Sequence, residues 1–253
     1  YALVECGTTD LSYASLMKLS SQLDYGWLRI GFIFIFAGYT AKMGLFPMFT
    51  AGIDAKDNAP GPAAAMLSSA LINLGFVGIF RSYAVIAGSE IAEWGRVLMT
   101  VTAVMTIFIA TTYMVKMKNI KRMFAYSSIE HSALVLIGLC FGEMGIYFAI
   151  LHLLMHTLIK SGLFLHYNKL TLVYGSKFFE QMGGYLPLNP TGAIVLLIGI
   201  FSIVAVPPSG LFMSELGIFS AMVTAGYWPL VVLVALLLTV IVWAVCTNII
   251  GMV

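Results

Sequence analysis

Long apolar runs, separated by short polar segments, dominate the pattern of the chain. A run of about 20 apolar residues is long enough to cross a bilayer as a helix. Such runs cover residues 27–49, 63–80, 97–117 and 228–252, and a shorter one covers residues 127–141. With the segments described below, the pattern predicts an all-α, multispanning membrane helix bundle of about seven or eight spans.

Two of the predicted helices are interrupted by proline. The first contains Lys42 and is kinked or ended by Pro47. The second is broken at Pro207 and Pro208 and carries Glu215 beyond the break. Its two apolar halves cover residues 192–206 and 211–227. Broken helices in corresponding positions of two halves of a chain point to a transport path.

The segment LHLLMHTLIKSGLFL places His152, His156 and Lys160 in an otherwise apolar helix. Four-residue spacing puts all three on one helix face. Ionisable residues inside a span are costly, and each is therefore a functional candidate. We call these three residues the α-helical file. Because histidine accepts a proton on one ring nitrogen and donates from the other, the file predicts a proton relay leading to Lys160. Hydrogen-bonded packing of the histidines and a structural ion pair at Lys160 remain alternatives.

Five further residues, Lys42 among them, are candidates for the same relay. Asn73 lies in the middle of its span and can hold a water, although it cannot carry charge. Glu130 and His131 lie where we expect the cytoplasmic end of a helix, in contact with solvent. Glu215 suits a proton exit gate beside a broken helix, or it pairs with a lysine. For Lys42 the alternative is snorkelling to the membrane interface.

Composition excludes several classes of protein. Hydrophobic residues make up 60% and charged residues 9%, against about a quarter charged in soluble domains. A net charge of +2 without a basic face argues against a nucleic acid partner. The dispersed Cys6, Cys140 and Cys246 predict neither a disulfide framework nor an iron–sulfur site. His152 and His156 lack a nearby carboxylate in their helix, so we predict no metal or cofactor in this chain.

The distribution of basic residues predicts the orientation of the bundle. Following the alternation of spans leaves seven basic residues inside and four outside, in accord with the positive-inside rule. The inside set is Lys56, Lys116, Lys118, Lys121, Arg122, Lys169 and Lys177, and the outside set is Lys18, Arg29, Arg81 and Arg96. We assign residues 1–26 to the end of a preceding helix and an extramembrane segment, and residues 27–253 to the bundle. The chain lacks an initial Met, and we expect it to be a fragment of a longer protein.

Several segments together resemble the antiporter-like subunits of respiratory complex I, of multisubunit sodium/proton antiporters and of membrane-bound hydrogenases. They are GYTAKMGLFP, DAKDNAPGPAAAMLSSALINLGFVGIFR, KNIKRMFAYSSIEHSALVLIGL, HLLMHTLIKSGLFL and VPPSGLFMSELGIF. The variants YSSIEH and PPSGLFMSE are most similar to the hydrogenase-associated members of the formate hydrogenlyase type. Each segment alone matches the family only loosely, whereas the order and spacing of the segments together are specific to it.

The resemblance implies roles for particular residues. Lys42 falls on the lysine of the family's broken seventh helix, Lys160 on the lysine of the eleventh, and Glu215 on the Lys or Glu of the broken twelfth. Asn73 stands where the family usually has a lysine, and MFTAGIDAK replaces the usual LHTWLPDAH. The resemblance also implies that six preceding helices are missing here, among them one with a glutamate that pairs with Lys42.

The resemblance implies translocation of an ion, which we expect to be a proton, by a non-redox membrane subunit of an oxidoreductase complex. Iron–sulfur clusters and a NiFe site, or other redox cofactors, are then expected in partner subunits. The partners would be other membrane subunits, a peripheral cytoplasmic redox arm and the lipid of the cell inner membrane. Alternatives are a subunit of a sodium/proton antiporter or of NADH:quinone oxidoreductase, a quinone-reactive subunit with a cofactor near His152 and His156, and a structural scaffold.

Overall fold

The computed structural model describes residue 10 and residues 12–250, and over these residues the chain is helical without a strand. The helices are α1 (Tyr13–Lys18), α2 (Tyr25–Met43), α3 (Phe49–Asn58), α4 (Gly61–Ser68), α5 (Ala70–Ile86), α6 (Ala92–Met114), α7 (Ile120–Leu139), α8 (Gly142–Tyr174), α9 (Tyr185–Leu188), α10 (Pro190–Ile203), α11 (Gly210–Thr224) and α12 (Trp228–Ile250). Short 3₁₀ turns cover Ser20–Gln22 and Phe179–Gln181. The predicted all-α class is confirmed. The expected end of a preceding helix falls on residues 1–9, outside the described part.

Four regions of the described chain are long and apolar enough to cross a membrane. They are Gly61–Ile86, which combines α4 and α5, and then Ala92–Met114, Gly142–Tyr174 and Trp228–Ile249. Helices α10 and α11 are also apolar but shorter. The fold is therefore a membrane helix bundle, while the total of seven or eight spans stays a prediction.

Both predicted helix breaks are present. Helix α2 ends because Gly44 adopts a left-handed conformation with a φ of 75°, which glycine tolerates without steric cost. The chain then resumes as α3, so Pro47 lies in the connection and Gly44 ends the helix. Residues 204–209 separate α10 from α11, and the Ser209 side chain caps α11 by accepting from the Phe212 backbone N–H at 3.2 Å.

Two boundaries predicted from the sequence are wrong. The polar segment DAKDNAPGP, residues 54–62, has two prolines and predicts a turn between two spans, yet Asp54 to Asn58 belong to α3. Helix α7 begins at Ile120, not near residue 127, because the Asn119 side chain caps it by accepting from the Arg122 backbone N–H at 3.2 Å. Apart from Arg122, every residue of α7 is buried, so α7 is the central helix.

Helices α7 and α8 approach closely where two glycines face each other. A Cβ added to Gly145 would lie less than 3.0 Å from the carbonyl oxygen of Gly138, and a backbone atom cannot move aside as a side chain can. The short Phe141–Gly142 connection holds the two helices together at this end. The close approach positions the buried faces of α7 and α8 against one another.

We predict that Gly145→Ala destabilises the protein by about 1–3 kcal/mol, the usual cost of overpacking. The matched control is Gly162→Ala on the same helix, where an added Cβ meets no atom within 4 Å. Thermal unfolding of the detergent-solubilised protein should show a lower midpoint for Gly145→Ala than for Gly162→Ala. Equal midpoints would contradict the close packing described here.

Candidate functional site

The centre of the bundle contains five buried ionisable residues. Helix α7 contributes Glu130 and His131, and α8 contributes His152, His156 and Lys160. None of them is more than 3% exposed. We call these five residues the buried cluster. Burial of so many ionisable groups is costly unless they satisfy one another, and their mutual contacts therefore define the site.

A hydrogen-bonded chain crosses the buried cluster from α11 to α7. His152 Nδ1 lies 3.0 Å from Ser214 Oγ, and His152 Nε2 lies 3.0 Å from His131 Nδ1. Because the Ser214 hydroxyl donates to the Leu211 carbonyl oxygen at 2.9 Å, we infer that it accepts from His152 Nδ1. His152 Nε2 then accepts from His131 Nδ1. This polarity leaves His131 Nε2 as an acceptor, and that atom makes no direct hydrogen bond to the described part of the chain.

A proton acceptor and a carboxyl group therefore stand side by side. His131 Nε2 lies 3.6 Å from Glu130 Oε2, which is slightly too far for a direct hydrogen bond. On the other side of the ring, His131 Nδ1 lies 4.0 Å from Glu215 Oε1. The Glu215 side chain is 14% exposed, whereas Glu130 is 3% exposed. His131 is thus placed between two carboxyl groups that differ in their access to the surroundings.

A small cavity adjoins both carboxyl groups. It has a volume of about 20 Å³, and its polar lining includes Ser127, Glu130, His131 and Glu215. Roughly 10–15 Å³ is enough to hold one water with two or more polar partners. A water here would bridge separations of 3.6 to 4.0 Å that are too long for direct hydrogen bonds.

Lys160 is buried without a carboxylate within 4.0 Å in the described part of the chain. Its Nζ donates to the Phe124 carbonyl oxygen at 2.8 Å and lies 5.0 Å from the Phe124 ring centroid. Glu130 interacts electrostatically with both Lys160 and Glu215. Since two buried carboxylates repel each other, one negative charge shared between them would balance a protonated Lys160.

The structure corrects the expectation for Glu130 and His131. They were expected near a solvent-exposed helix end, yet both are buried in the middle of α7, because that helix starts at Ile120. His131 is also inserted between the two histidines of α8, with ring centroids 5.1 Å from His152 and 5.2 Å from His156. The predicted file on α8 is buried as expected, but its histidines connect through α7. The signal in the sequence that could have corrected this is Asn119, a residue type favoured at helix N-caps, because a helix that starts after Asn119 has His131 near its middle.

Lys42 and Asn73 do not join the buried cluster. Lys42 is exposed at the surface of the described chain, and its predicted place in the relay stays a prediction. Asn73 exchanges hydrogen bonds with Thr157 at 3.1 and 3.2 Å, which links α5 to α8. Asn73 is half-buried and lies beside the file of His156 and Lys160. It is therefore an anchor between helices next to the site.

Three residues of the site also have the chemistry of metal ligands. His131, His152 and Glu215 each offer one ligand atom, all within 4.8 Å of one another. Around a tetrahedral zinc with Zn–N distances of about 2.0–2.1 Å, two nitrogens lie roughly 3.3 Å apart. The two ring nitrogens here face each other at 3.0 Å, and Ser214 holds the other side of His152. The arrangement matches a hydrogen-bonded chain more closely than a metal centre.

Comparison with known proteins places this geometry in a family. Residues 3–241 match the family described as NADH:quinone oxidoreductase/Mrp antiporter, transmembrane. The chain belongs to this antiporter-like family. The resemblance inferred from the sequence motifs is thereby confirmed. The relatives include a hydrogenase-4 component F homolog and subunit N 1 of an NADH-quinone oxidoreductase.

Hydrogenase-associated members of the antiporter-like family are among the similar proteins. A hydrogenase-4 component F homolog from Methylacidiphilum infernorum is 32% identical over 216 residues, covering 85% of this chain and 45% of that protein. Formate hydrogenlyase subunit 3 from Escherichia coli is 30% identical over 230 residues, covering 85% of this chain and 36% of that protein. The chain thus spans less than half the length of these relatives.

Solved structures of the antiporter-like family share the fold. A chain of the membrane-bound sulfane sulfur reductase, an archaeal respiratory membrane complex, matches with a TM-score of 0.90 and 27% identity, covering 99% of this chain and 52% of that one. A chain of the Mrp complex from Dietzia matches with a TM-score of 0.87 at 20% identity, covering 99% and 46%. The latter likeness concerns the fold alone.

We predict that His152→Leu lowers the free energy of unfolding by about 1–3 kcal/mol, because a buried His131 N–H loses its acceptor at similar side-chain volume. The matched control is His166→Leu, a half-buried histidine on the same helix outside the buried cluster. Thermal unfolding in detergent measures both variants. A midpoint for His152→Leu at or above that of His166→Leu would contradict the hydrogen-bonded chain.

Proposed function

We propose that this chain is the proton-translocating module of a redox-driven membrane complex of the hydrogenase-associated type. The observation that carries the proposal is the hydrogen-bonded chain from Ser214 through His152 to His131, whose far ring nitrogen lies 3.6 Å from Glu130 beside the small cavity. The similarity to hydrogenase-4 component F and formate hydrogenlyase subunit 3 supports the choice of branch.

In the proposed mechanism Lys160 stores a proton and Glu130 receives it. Glu130 acts electrostatically on Lys160, and only His131 and the small cavity separate it from Glu215. The proton then crosses by way of His131 and a water to Glu215. Histidine suits this step because it takes up a proton on one nitrogen as it releases another from the opposite one.

The exposed Lys42 is the position at which we propose that the driving event reaches this chain. Its exposed side chain is available to the glutamate that the family resemblance implies on a preceding helix. We propose that redox chemistry in partner subunits changes the charge near Lys42. The iron–sulfur clusters, a NiFe site or other redox cofactors would then belong to a peripheral cytoplasmic arm. The complex would lie in the cell inner membrane, together with other membrane subunits.

We predict that Lys160→Ala lowers the rate of proton translocation by about tenfold or more, because the only buried amine of α8 is lost. The control is Lys169→Ala, an exposed lysine on the same helix. Proton movement coupled to electron transfer is measured with a pH-sensitive dye in vesicles that contain the assembled complex. Undiminished translocation by the Lys160→Ala complex would contradict the proposal and favour the structural scaffold.

Glu215→Gln should likewise lower proton translocation, by about tenfold, because an amide cannot take up the proton that His131 passes on. The exposed Glu143 at the start of α8 offers a control, Glu143→Gln. Both variants are assayed for translocation and for the amount of assembled complex. Normal translocation in Glu215→Gln would remove this residue from the exit step.

A further inference from the structure

Lys56 is a second buried amine that the proposed path does not use. It lies in the last turn of α3 and is 3% exposed. In the described part of the chain no carboxylate lies within 4.0 Å of its Nζ. Buried lysines without a charge partner are rare, since desolvation of an ammonium group costs more than most packing contacts return. A structural role alone does not account for its position.

The residue next to Lys56 joins a polar cluster that reaches solvent. Asp57 accepts from the Asn119 amide at 3.0 Å, and it lies 3.7 Å from Arg122 and 3.5 Å from Lys177. The Lys177 amine also donates to the Asp57 carbonyl oxygen at 3.0 Å. The Arg122 and Lys177 side chains are each 39% exposed. We call these four residues the Asp57 cluster.

Lys56 lies three residues after the core residue Ile53 and shares its buried face of α3, the helix that packs on α7. Successive residues of a helix point about 100° apart, so Lys56 and Asp57 cannot share a direction. Lys56 interacts electrostatically with Lys160 and with His156, two members of the buried cluster. Helix α3 packs on α7, and the Asn168 side chain of α8 accepts from the Gly61 backbone N–H at 3.2 Å just beyond α3. Lys56 thus stands between a solvated cluster and the proposed proton store.

Further charged groups from the neighbouring elements surround this position. Besides the Asp57 cluster, Lys121 of α7 donates to the Ala59 carbonyl oxygen at 3.5 Å. On the inner side stand His156 and Lys160 of α8, and the side chain of Asp54 pairs with Arg122 at 2.7 Å on the outer side. Positive groups outnumber negative ones around Lys56. A proton held by Lys56 is therefore repelled inward and outward alike.

We propose that Lys56 is a proton-carrying residue of the path, which loads Lys160 from the Asp57 cluster. This inference rests on the proposed function. Two buried ammonium groups repel each other, so a proton arriving at Lys56 favours release of the one held by Lys160. Lys56 would thereby supply the charged link that Asn73 cannot supply. The transfer moves one proton between two amines, and it needs no other reactant.

The test separates a mobile proton from a fixed positive charge. Lys56→Met removes the amine, Lys56→Arg keeps a charge that does not lose its proton, and Lys56→His restores a group that titrates. Lys116→Ala, an exposed lysine at the turn after α6, is the control for loss of charge. Proton translocation coupled to electron transfer is measured in vesicles that contain the assembled complex, and a native gel reports assembly.

We expect translocation to fall by roughly tenfold or more in Lys56→Met and in Lys56→Arg, to recover in part in Lys56→His, and to stay unchanged in Lys116→Ala. Full translocation by Lys56→Arg would overturn the inference, because a fixed charge would then suffice. Full translocation by Lys56→Met, or failure of all three variants to assemble, would overturn it as well.

Lys160→Ala in the same vesicles distinguishes the two proposals. If Lys160→Ala abolishes translocation while Lys56→Met leaves it intact, the uptake role of Lys56 is wrong and the proposed function stands. If Lys160→Ala translocates normally, the proposed function fails whatever Lys56 does. The two failures therefore give different results in one set of measurements.

Discussion

The contact between His131 and His152 holds the site together, and much of the bundle is arranged to permit it. The two ring nitrogens meet at 3.0 Å across the interface of α7 and α8. Such a contact requires the helices to lie close, which the facing Gly138 and Gly145 allow. It also requires a partner for the second nitrogen of His152, which α11 provides through Ser214 after its break. Without the others, each of these features would leave a buried polar group unsatisfied, at a cost in folding free energy.

The buried cluster contains two groups that lack a direct charged or hydrogen-bonded side-chain partner. Lys160 donates to a backbone carbonyl and not to a carboxylate, and His131 Nε2 makes no direct hydrogen bond within the described residues. A cluster selected for stability alone would close these gaps, since unsatisfied buried groups cost about 1–3 kcal/mol each. Open positions of this kind are what a moving charge needs, because each acceptor must be vacant before a proton arrives.

Local patterns in the sequence predicted the parts of the site that lie on single helices. The four-residue spacing of His152, His156 and Lys160 predicted their shared buried face, and the paired prolines predicted the break before Glu215. The local pattern gave a wrong prediction where a segment is stabilised by residues from elsewhere in the chain. Asp54 to Asn58 have the composition of a turn, yet they form a helix because Arg122 and Asn119 bind the aspartates from another segment.

The insertion of His131 between two histidines of α8 could not be read from the spacing on either helix. It depends on the register of α7 against α8, which close packing of many buried side chains sets. The hydrophobic pattern also could not predict that Lys42 is exposed, because hydropathy reports how apolar a helix is and not which side of it faces a neighbour. The sequence thus identified the ionisable residues, whereas helix packing determines which of them are in contact.

The length of α8 has a consequence for electrical insulation. Its 33 residues rise about 50 Å, well beyond a hydrocarbon core of roughly 30 Å. His152 lies about 15 Å from the first residue of the helix and Lys160 about 21 Å from the last. A stretch of helix with few ionisable groups therefore separates the buried cluster from each aqueous phase. Such a dielectric barrier resists leakage, so a membrane voltage could be sustained across the protein even while protons reside at its centre.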